Sequence, residues 1–518
     1  MKRLFIIALS IGLSMVITLP AGSSSDNPKR GGTLTLAIRK DLRVLNPLVR
    51  TSSTDRSIRD LMFESLLILD GNGKFRPNLA ESWKITQDGK LYTFELRKGV
   101  KFHNGQEMTS QDLKFAIDYT LNPKNGAYGI SLLRSVKRAE AAGKYKLKIH
   151  LKQANPAFLS FISTIKAFSA IPKESVPEGI EKISTFPPGT GPFKFVEWKP
   201  KQRIVMERFN EYWGHKPYID KLVLKPIKHA TVRFTALRAG DVDIVERTSY
   251  EWVQQVQQGK IKGIGIAKSP GGKFRGLTFN VADPPFDNKK LRRAVGYAIN
   301  KEEILNAAFF GFGVVDNQKY PKGHFWHFDG LPWPEYNPGK AKILLKEANY
   351  SGEVIELITA PGEVQETMAA VLQAQLKRVG MNIRLELMDV GAYNQRERKG
   401  QFAFRFRGGD SDADPWTTYS RHLLCEPDLR KRIANVSGYC NKQVVKWLKM
   451  AETELDGKKR KGLFRKIITK MAEDLPQIYI GFIPRFYTFR DYVKDFSTGA
   501  DARFRWSDGG VTHTWLDK

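Results

Sequence analysis

The feature that most constrains the fold is a strand, a helix and a second strand in succession between residues 353 and 390. Residues 354–359 form an apolar run, and the apolar residues of 383–387 alternate with polar ones. The helix between them is indicated by apolar residues on one face, namely Met368, Val371, Leu372, Leu376 and Val379, with Gly380 as its C-cap. Strands joined by a crossover helix run parallel, so the chain belongs to the α/β class.

The length of the chain predicts more than one domain. Its 518 residues are too many for a single hydrophobic core and enough for two or three. The net charge of +30 and the pI near 9.8 are unusual. Lys and Arg are spread along the chain, and the densest cluster, at 458–461, is interpreted as a solvated turn between helices. No nucleic-acid partner is expected, since the N-terminus indicates export.

That N-terminus has the pattern of a secretory signal peptide. Lys2 and Arg3 precede an apolar run over residues 4–19, and Pro20 is followed by small residues. The run is shorter than the roughly 20 residues that a membrane-spanning helix needs, which leaves an uncleaved anchor as the weaker alternative. Residues 1–23 are predicted to be removed, with cleavage after Ala21 or Ser23. Because no cysteine follows the run, no lipid anchor is expected, and the protein is placed in the periplasm.

Local patterns predict several further elements. Period-two alternation over 82–102, with a turn at 87–90, is typical of a β-hairpin, and a second hairpin is predicted over 193–208. Thr109 and Asp112 resemble a capping box at the start of a helix. Helices are predicted over 288–299 and 301–310 and another from Pro338, where a proline at the first helical position costs nothing.

The two cysteines of the chain, Cys425 and Cys440, are predicted to form a disulfide. An even pair separated by a short polar stretch favours a bridge in an oxidising compartment. A metal site that also uses His422 is the alternative, but it lacks a fourth ligand at a standard spacing.

No catalytic motif is recognisable, and the chain is not expected to be an enzyme. It contains no nucleophile elbow, zinc-protease helix, phosphate loop or Cys-x-x-Cys pair. His324 and His327 are interpreted as surface residues of a turn. Asp410, Asp412 and Asp414 begin like a calcium loop, but Pro415 stands where glycine is needed and Arg421 where a glutamate is needed. No metal ion or cofactor is therefore expected.

The segment at 402–410 is the most informative one chemically. Phe402, Phe404 and Phe406 alternate with polar positions, so a strand buries three rings and directs Arg405 and Arg407 to its opposite face. Two glycines and Asp410 follow directly. Ligands of open α/β sheets bind outside the carboxyl ends of strands, and a carboxylate beside guanidinium groups suits a zwitterion or an anion. In the alternative interpretation, these charges pair with one another at the surface.

Several ordered segments carry a resemblance to a known family. They are LAESW at 79–83, DGK at 88–90, FELRKGVKFHNG at 94–105, GTGPF at 189–193, NEYW at 210–213, PFD at 285–287, RRA at 292–294 and YNP at 336–338. Together they resemble the family 5 extracellular solute-binding proteins, the oligopeptide, dipeptide and nickel receptors of ABC importers, over essentially the whole mature chain.

The resemblance implies a two-lobed periplasmic binding protein fold of type II with an extra inserted domain and a ligand cleft between the lobes. Mapped here, the first lobe uses residues 29–70, 186–282 and 490–518, the inserted domain 71–185 and the second lobe 283–489. It implies a monomeric receptor that captures a peptide or peptide-like charged solute and passes it to an ABC transporter permease. A non-transport sensing module is an alternative, as is a ligand such as an amino-acid conjugate, metal chelate or oligosaccharide.

The resemblance also suggests ligand-binding residues. Peptide-binding relatives hold the ligand's amine with an aspartate four residues before the proline of an acidic-Pro pair, and Asp414-Pro415 matches that pair. Ser411 occupies the expected position, so the role is carried to Asp410, with Asp412 as the neighbouring candidate. Arg407 stands where relatives carry tryptophan, which favours a ligand with an anionic group. Arg405 is included because it shares the face of Arg407. Cys440 lies where dipeptide receptors have a paired cysteine.

Overall fold

A computed structural model describes residues 27–518 except 50–51, 71–73, 166–167, 176–186, 410–411, 430–433, 500–502 and 507–508. The predicted signal peptide, 1–23, lies outside the described residues. The strands are β1 Thr33–Ile38, β2 Leu67–Leu69, β3 Phe75–Pro77, β4 Ala80–Ile85, β5 Leu91–Leu96, β6 Val136–Ala141, β7 Lys146–Leu151, β8 Phe193–Lys199, β9 Arg203–Arg208, β10 Lys221–Pro226, β11 Ile244–Glu246, β12 Ile264–Phe279, β13 Val314–Val315, β14 Val354–Thr359, β15 Asn382–Leu387, β16 Phe404–Gly409, β17 Gln477–Arg490, β18 Val493–Lys494, β19 Arg505–Trp506, β20 Gly509–Gly510 and β21 Trp515–Leu516. The helices are α1 Ser53–Arg59, α2 Ser110–Leu121, α3 Ile130–Leu133, α4 Phe158–Ile162, α5 Ala230–Ala239, α6 Tyr250–Gln257, α7 Lys289–Ala298, α8 Lys301–Phe309, α9 Pro338–Glu347, α10 Glu363–Arg378, α11 Val390–Lys399, α12 Pro415–Leu423, α13 Lys442–Thr453 and α14 Gly457–Asp474, with single 3-10 turns at Pro123–Asn125 and Lys173–Ser175.

One mixed sheet runs through the whole molecule. Its strand order is β15-β14-β16-β12-β17-β11-β1-β10-β9-β8, with β13 added beside β17. The end formed by β11, β1, β10, β9 and β8 belongs to the first lobe, and the end formed by β14, β15 and β16 belongs to the second. A separate four-stranded sheet, β4-β5-β7-β6, lies within the segment predicted to be the inserted domain. The domain boundaries themselves stay a prediction.

Two long strands connect the lobes. The 16-residue β12 and the 14-residue β17 pair antiparallel along most of their length. β12 also pairs with β16 of the second lobe over residues 274–279, whereas β17 pairs with β11 of the first lobe over residues 487–489. Their shared ladder shifts register between Lys268 and Gly272, where the pairing passes from one lobe to the other. These strands are the connection that the resemblance implied.

The strand, helix and strand predicted from residue 354 onward are confirmed. β14 and β15 pair in parallel with Val354 opposite Asn382, and α10 crosses between them. The predicted helical face packs into the core of the second lobe, where Met368, Leu372 and Leu376 are buried against α7 and α8. This packing explains why the apolar spacing was a reliable signal.

The local predictions of the first half are confirmed as well. β4 and β5 form the first hairpin, and β8 and β9 form the second. The capping box of α2 is present, with the Asp112 carboxylate accepting from the backbone N–H of Thr109 at 2.8 Å. α7, α8 and α9 occupy the three segments predicted to be helical in the second half.

The basic cluster at 458–461 differs from its interpretation as a solvated turn. These residues form the first turn of α14, and Arg460 is only 4% exposed. Its Nη1 and Nη2 donate to the two oxygens of Asp414 at 2.6 and 2.8 Å. The prediction was wrong because the partner that allows this arginine to be buried lies 46 residues earlier in the chain.

Candidate functional site

Parallel strands of both lobes end at the edges where a ligand of an α/β sheet is expected. In the first lobe, β1 and β11 are parallel and end at Ile38 and Glu246. In the second lobe, β14 and β16 are parallel and end at Thr359 and Gly409. Because ligands bind outside the carboxyl ends of strands, the residues that follow Ile38, Glu246 and Thr359 are candidates for lining a ligand cleft.

Asp410, the residue predicted to receive the ligand's amine, lies outside the described residues together with Ser411. The residue that precedes it in the chain is described. It follows Gly409, the last residue of β16, and therefore comes directly after the carboxyl end of a second-lobe strand. Its role stays a prediction.

Arg405 is buried and has partners within the second lobe. The residue is 6% exposed. Its Nη2 donates to Glu397 Oε1 at 2.6 Å and its Nη1 to the Tyr393 hydroxyl at 2.8 Å, both on α11. The predicted alternation of β16 is confirmed, because Phe404 and Phe406 lie in the second-lobe core. The guanidinium thus fixes α11 to the opposite face of the strand.

Arg407 is enclosed beside His422 of α12. Its Nη2 contacts the imidazole, and His422 Nδ1 lies 3.1 Å from the carbonyl oxygen of Ala434. Nδ1 therefore carries the proton, and Nε2 accepts from the arginine. Burial, and then the charge of Arg405, lower the pKa of Arg407 to about 10. Burial and the charge of Arg407 hold the pKa of His422 well below its usual value.

Asp412 and Asp414 organise the start of α12 rather than a calcium loop. Asp412 Oδ2 accepts from the Thr418 hydroxyl and from Arg421 Nη2, both at 2.7 Å. Asp414 is the N-cap of α12, accepts from the backbone N–H of Trp416 at 2.9 Å and pairs with Arg460. In the described part of the chain, no cluster of three or more His, Cys, Asp or Glu side chains could hold a metal ion.

The predicted disulfide is confirmed. Cys425 and Cys440 are bonded, with their Cα atoms 4.7 Å apart. The bridge ties the segment after α12 to the residue before the N-cap of α13. The alternative metal site is excluded, because bonded cysteines supply no thiolate and His422 is engaged by Arg407.

Gly408 and Gly409 make room for side chains of the neighbouring strand. A Cβ at residue 408 would lie 2.4 Å from Arg275 Nη1 and 3.0 Å from the carbonyl oxygen of Phe274. A Cβ at residue 409 would lie 3.0 Å from Cε1 of Phe274, whose ring carries Lys319 Nζ 3.9 Å from its centroid. The small size of the glycines is thus required by packing at the end of β16.

A group of cleft arginines, which we define as Arg39, Arg247, Arg275 and Arg485, was missed by the sequence analysis. Arg39 follows β1 and Arg247 follows β11, whereas Arg275 lies in β12 and Arg485 in β17. The sequence separates these four residues by as much as 446 positions (485 minus 39). Only the pairing of their strands brings them together, so no local pattern could have revealed the group.

Two of the segments that carried the family resemblance, the one ending near His103 and the one at 189–193, contact each other. The Nε2 of His103 donates to the carbonyl oxygen of Gly191 at 2.9 Å and its Nδ1 accepts from the N–H of Gly189 at 3.2 Å. Side chains at 189 and 191 would collide with the carbonyl oxygens of Met62 and Leu61. These motif residues therefore join the small sheet to the first lobe, and their role is structural.

Comparisons with known proteins agree with this architecture. Residues 74–428 match the family model described as bacterial extracellular solute-binding proteins, family 5 Middle. The chain is 28% identical over 519 aligned residues to the dipeptide-binding protein of Escherichia coli (strain K12), covering 94% of this chain and 95% of that protein. It is 27% identical over 490 residues to the glutathione-binding protein GsiB of Pectobacterium atrosepticum, covering 92% of each.

A solved structure shows the same arrangement. The ABC transporter-associated periplasmic binding protein DppA from Helicobacter pylori, in complex with the peptide STSA, matches with a TM-score of 0.80 and 25% sequence identity, covering 95% of this chain and 99% of that one. The fold is therefore that of the two-lobed periplasmic binding proteins. No helix in the described ranges has both the length and the apolar character needed to cross a membrane. The chain belongs to the family 5 bacterial extracellular solute-binding proteins.

Proposed function

We propose that this protein is the periplasmic receptor of an ABC importer, which captures a peptide or peptide-like charged solute between its lobes and delivers it to a membrane permease. The observation that carries the proposal is similarity along nearly the whole chain, at a TM-score of 0.80, to a transporter-associated protein with a peptide bound. The names of the dipeptide-binding and glutathione-binding relatives support the same class of solute. Export through the signal peptide and a monomeric state are part of the proposal.

The chemistry of the strand ends favours a charged solute. Closing the lobes removes the solute from water, and each enclosed charge then needs a partner or costs several kcal/mol. Asp410, directly after β16, is proposed to receive the amine. Arg405, Arg407 and Asp412 have partners of their own within the second lobe, so we propose that they support the structure of β16 and of the start of α12. A neutral oligosaccharide would bring no positive charge to such an aspartate.

Binding without turnover is proposed as the whole of the activity. The titratable groups described near the end of β16 are engaged with one another, as in the Arg407–His422 contact. A sensing module that binds without transport is the other candidate. The two are separated by asking whether a strain lacking the gene loses uptake of the solute, and whether permease and ATPase genes lie beside it.

Isothermal titration calorimetry with di- to pentapeptides, amino-acid conjugates, metal chelates and oligosaccharides tests the proposal. Asp410→Ala should weaken peptide binding by about 2–5 kcal/mol, or roughly 30-fold or more, as expected for one half of a desolvated charge pair. Asp329→Ala, at an exposed second-lobe carboxylate, is the matched control and should bind like the wild type. Tight binding of an uncharged sugar that Asp410→Ala does not change would contradict the proposal for the ligand.

A further inference from the structure

Strand pairing places the four cleft arginines beside one another. β1 and β11 pair in parallel with Ala37 opposite Val245, so Arg39 and Arg247 leave the sheet on adjacent strands. The N–H of Thr248 donates to the carbonyl oxygen of Phe486 at 3.0 Å, which places Arg247 next to Arg485 on β17. Arg275 lies on β12 opposite Gly481, and its guanidinium extends over Gly408. The group thus spans the first lobe, both connecting strands and the end of β16.

Tyr250 is affected by the charges of three of the cleft arginines. Its hydroxyl donates to the carbonyl oxygen of Pro484 at 3.1 Å. Burial raises the pKa of Tyr250 to about 12, and the charges of Arg275, Arg247 and Arg485 each act against that shift. The positive charges of three cleft arginines therefore act on one side chain.

The backbone that carries Arg247 is held in an unusual conformation. Arg247 has a φ of 54°, in the left-handed region that side chains larger than glycine rarely adopt. Arg233, which is 3% exposed, donates hydrogen bonds to the carbonyl oxygens of residues 227, 228, 246 and 247. A strained position that its surroundings hold so firmly is typical of a ligand site.

The side chains of Arg39 and Arg247 are oriented but remain accessible. Arg39 Nη2 donates to the Ser53 hydroxyl at 2.8 Å, and Glu246 lies 3.8 Å from Arg39 Nε and 3.6 Å from Arg247 Nε. Glu246 is thus one carboxylate shared by two guanidinium groups, each of whose side chains is 26% exposed.

Like charges gathered in one place repel, and the repulsion is strong where water is partly excluded. Burial first, then Arg485 and Arg39, lower the pKa of Arg247 to about 10, and Glu246 opposes that shift. A bound anion would relieve the repulsion. Guanidinium groups suit this task because their planar forks bind carboxylate or phosphate oxygens in pairs.

We infer that Arg39, Arg247, Arg275 and Arg485 form an anion-binding site in the cleft, and that the natural solute carries at least two anionic groups. This inference rests on the proposed receptor function and names its class of solute. An ordinary neutral peptide has one carboxylate, at its C-terminus. The second anionic group is a further carboxylate or a phosphate, and both would be recognised by the same guanidinium forks.

Calorimetry of the full mature chain with three probes tests the inference. The probes are trialanine with one carboxylate, glutathione with two, and alanyl-phosphoseryl-alanine with a carboxylate and a phosphate. At least one doubly anionic probe should bind about 10-fold or more tightly than trialanine, and the stronger of the two identifies the second group. Equal binding of all three probes would overturn this inference but leave the receptor function intact. Binding of none would overturn this inference, and the wider panel described above would then decide the receptor function.

Variants then locate the site. Arg247→Gln and Arg485→Gln should each weaken the tighter anionic probe by about 10-fold or more and trialanine by less than about 3-fold. Arg247→Lys keeps the charge but loses the forked guanidinium. Its affinity for the anionic probe should lie between those of the wild type and Arg247→Gln. Arg238→Gln, at an exposed arginine of α5 in the same lobe, is the control and should change neither probe. Equal losses for trialanine and the anionic probe, in variants whose melting temperature matches the wild type, would overturn the assignment.

Discussion

Two groups of arginines in this protein differ in what surrounds them. Arg405 and Arg407 lie on one strand of the second lobe and are engaged by Glu397 and His422 of neighbouring helices. The cleft arginines lie in two strands, β12 and β17, and directly after two others, β1 and β11. The first group is held within one lobe, whereas the second brings positive charges together where the connecting strands meet the lobes, at the proposed anion site. An arginine on a strand therefore says little about ligand binding until its partner is known.

The largest effect that would sharpen this comparison is expected at Arg405. Arg405→Ala leaves Glu397 without its buried partner and should lower the free energy of unfolding by about 3–5 kcal/mol. Urea unfolding followed by circular dichroism measures this loss. Arg398→Ala, at an exposed position of the same helix α11, should change it by less than about 0.5 kcal/mol. If both variants lost the same free energy of unfolding, the ion pair of Arg405 would contribute no more to stability than an exposed arginine does.

Acid should lower the free energy of unfolding through His422, the histidine that contacts Arg407. Burial, and then the charge of Arg407, depress the pKa of His422 in the folded state, so below pH about 6.5 the unfolded chain binds more protons than the native one. The contribution of His422 to the free energy of unfolding is therefore fully present above that pH and is lost as the pH falls. His103 contributes in the same direction, because burial lowers its pKa to about 4, which corresponds to about 3 kcal/mol over the interval.

The measurement is the free energy of unfolding between pH 7 and pH 4. His422→Gln should flatten the decline by removing the contribution of this histidine, and His229→Gln, at an exposed histidine, should leave it unchanged. An unaltered slope in the His422 variant would show that Arg407 does not depend on a neutral imidazole.

Gly408 links the two groups, because it lies in β16, the strand of the first group, and is next to Arg275 of the second. Gly408→Ala would bring a Cβ 2.4 Å from Arg275 Nη1 and should destabilise the protein by about 1–3 kcal/mol. It should also weaken binding of the anionic probe by displacing the guanidinium. Gly462→Ala, on the exposed side of α14 with nothing within 4 Å, should instead stabilise by about 0.5–1 kcal/mol. Thermal unfolding compares the two directly.

The smallest change in stability is expected at the cleft arginines themselves. Arg485→Gln keeps a polar side chain at a half-buried position and removes one of several neighbouring positive charges, so the free energy of unfolding should shift by less than about 1 kcal/mol. Urea unfolding beside the Arg405 variant measures the difference. A loss as large as that of Arg405→Ala would erase the distinction between the two groups.

Much of the fold could be predicted because its signals are local. The hairpins, α2 with its capping box and the unit formed by β14, α10 and β15 each depend on residues that are close in the chain. The alternation of Phe402, Phe404 and Phe406 also predicted correctly which face of β16 is buried. Such patterns fix the face on which a side chain lies, because the geometry of one strand or helix is enough to determine it.

The partners across the fold could not be predicted in this way. The sequence predicted a solvated turn at Arg460, because its partner Asp414 is distant in the chain. The cleft arginines meet only through the pairing of β1, β11, β12 and β17, whose order in the sheet no short segment encodes. Asp410, the candidate with the strongest support from family resemblance, lies outside the described residues and needs the binding experiment.

The two long strands have a consequence for how the receptor responds to its cargo. Arg39 and Arg247 belong to the first lobe, Arg275 approaches the end of β16 in the second, and Arg485 sits on a connecting strand between them. In the proposed site, the repulsion between these positive charges should favour separated lobes when no anion is bound. An anion bound between them would replace this repulsion with attraction. The charge of the solute, more than its size, would then determine when the lobes close.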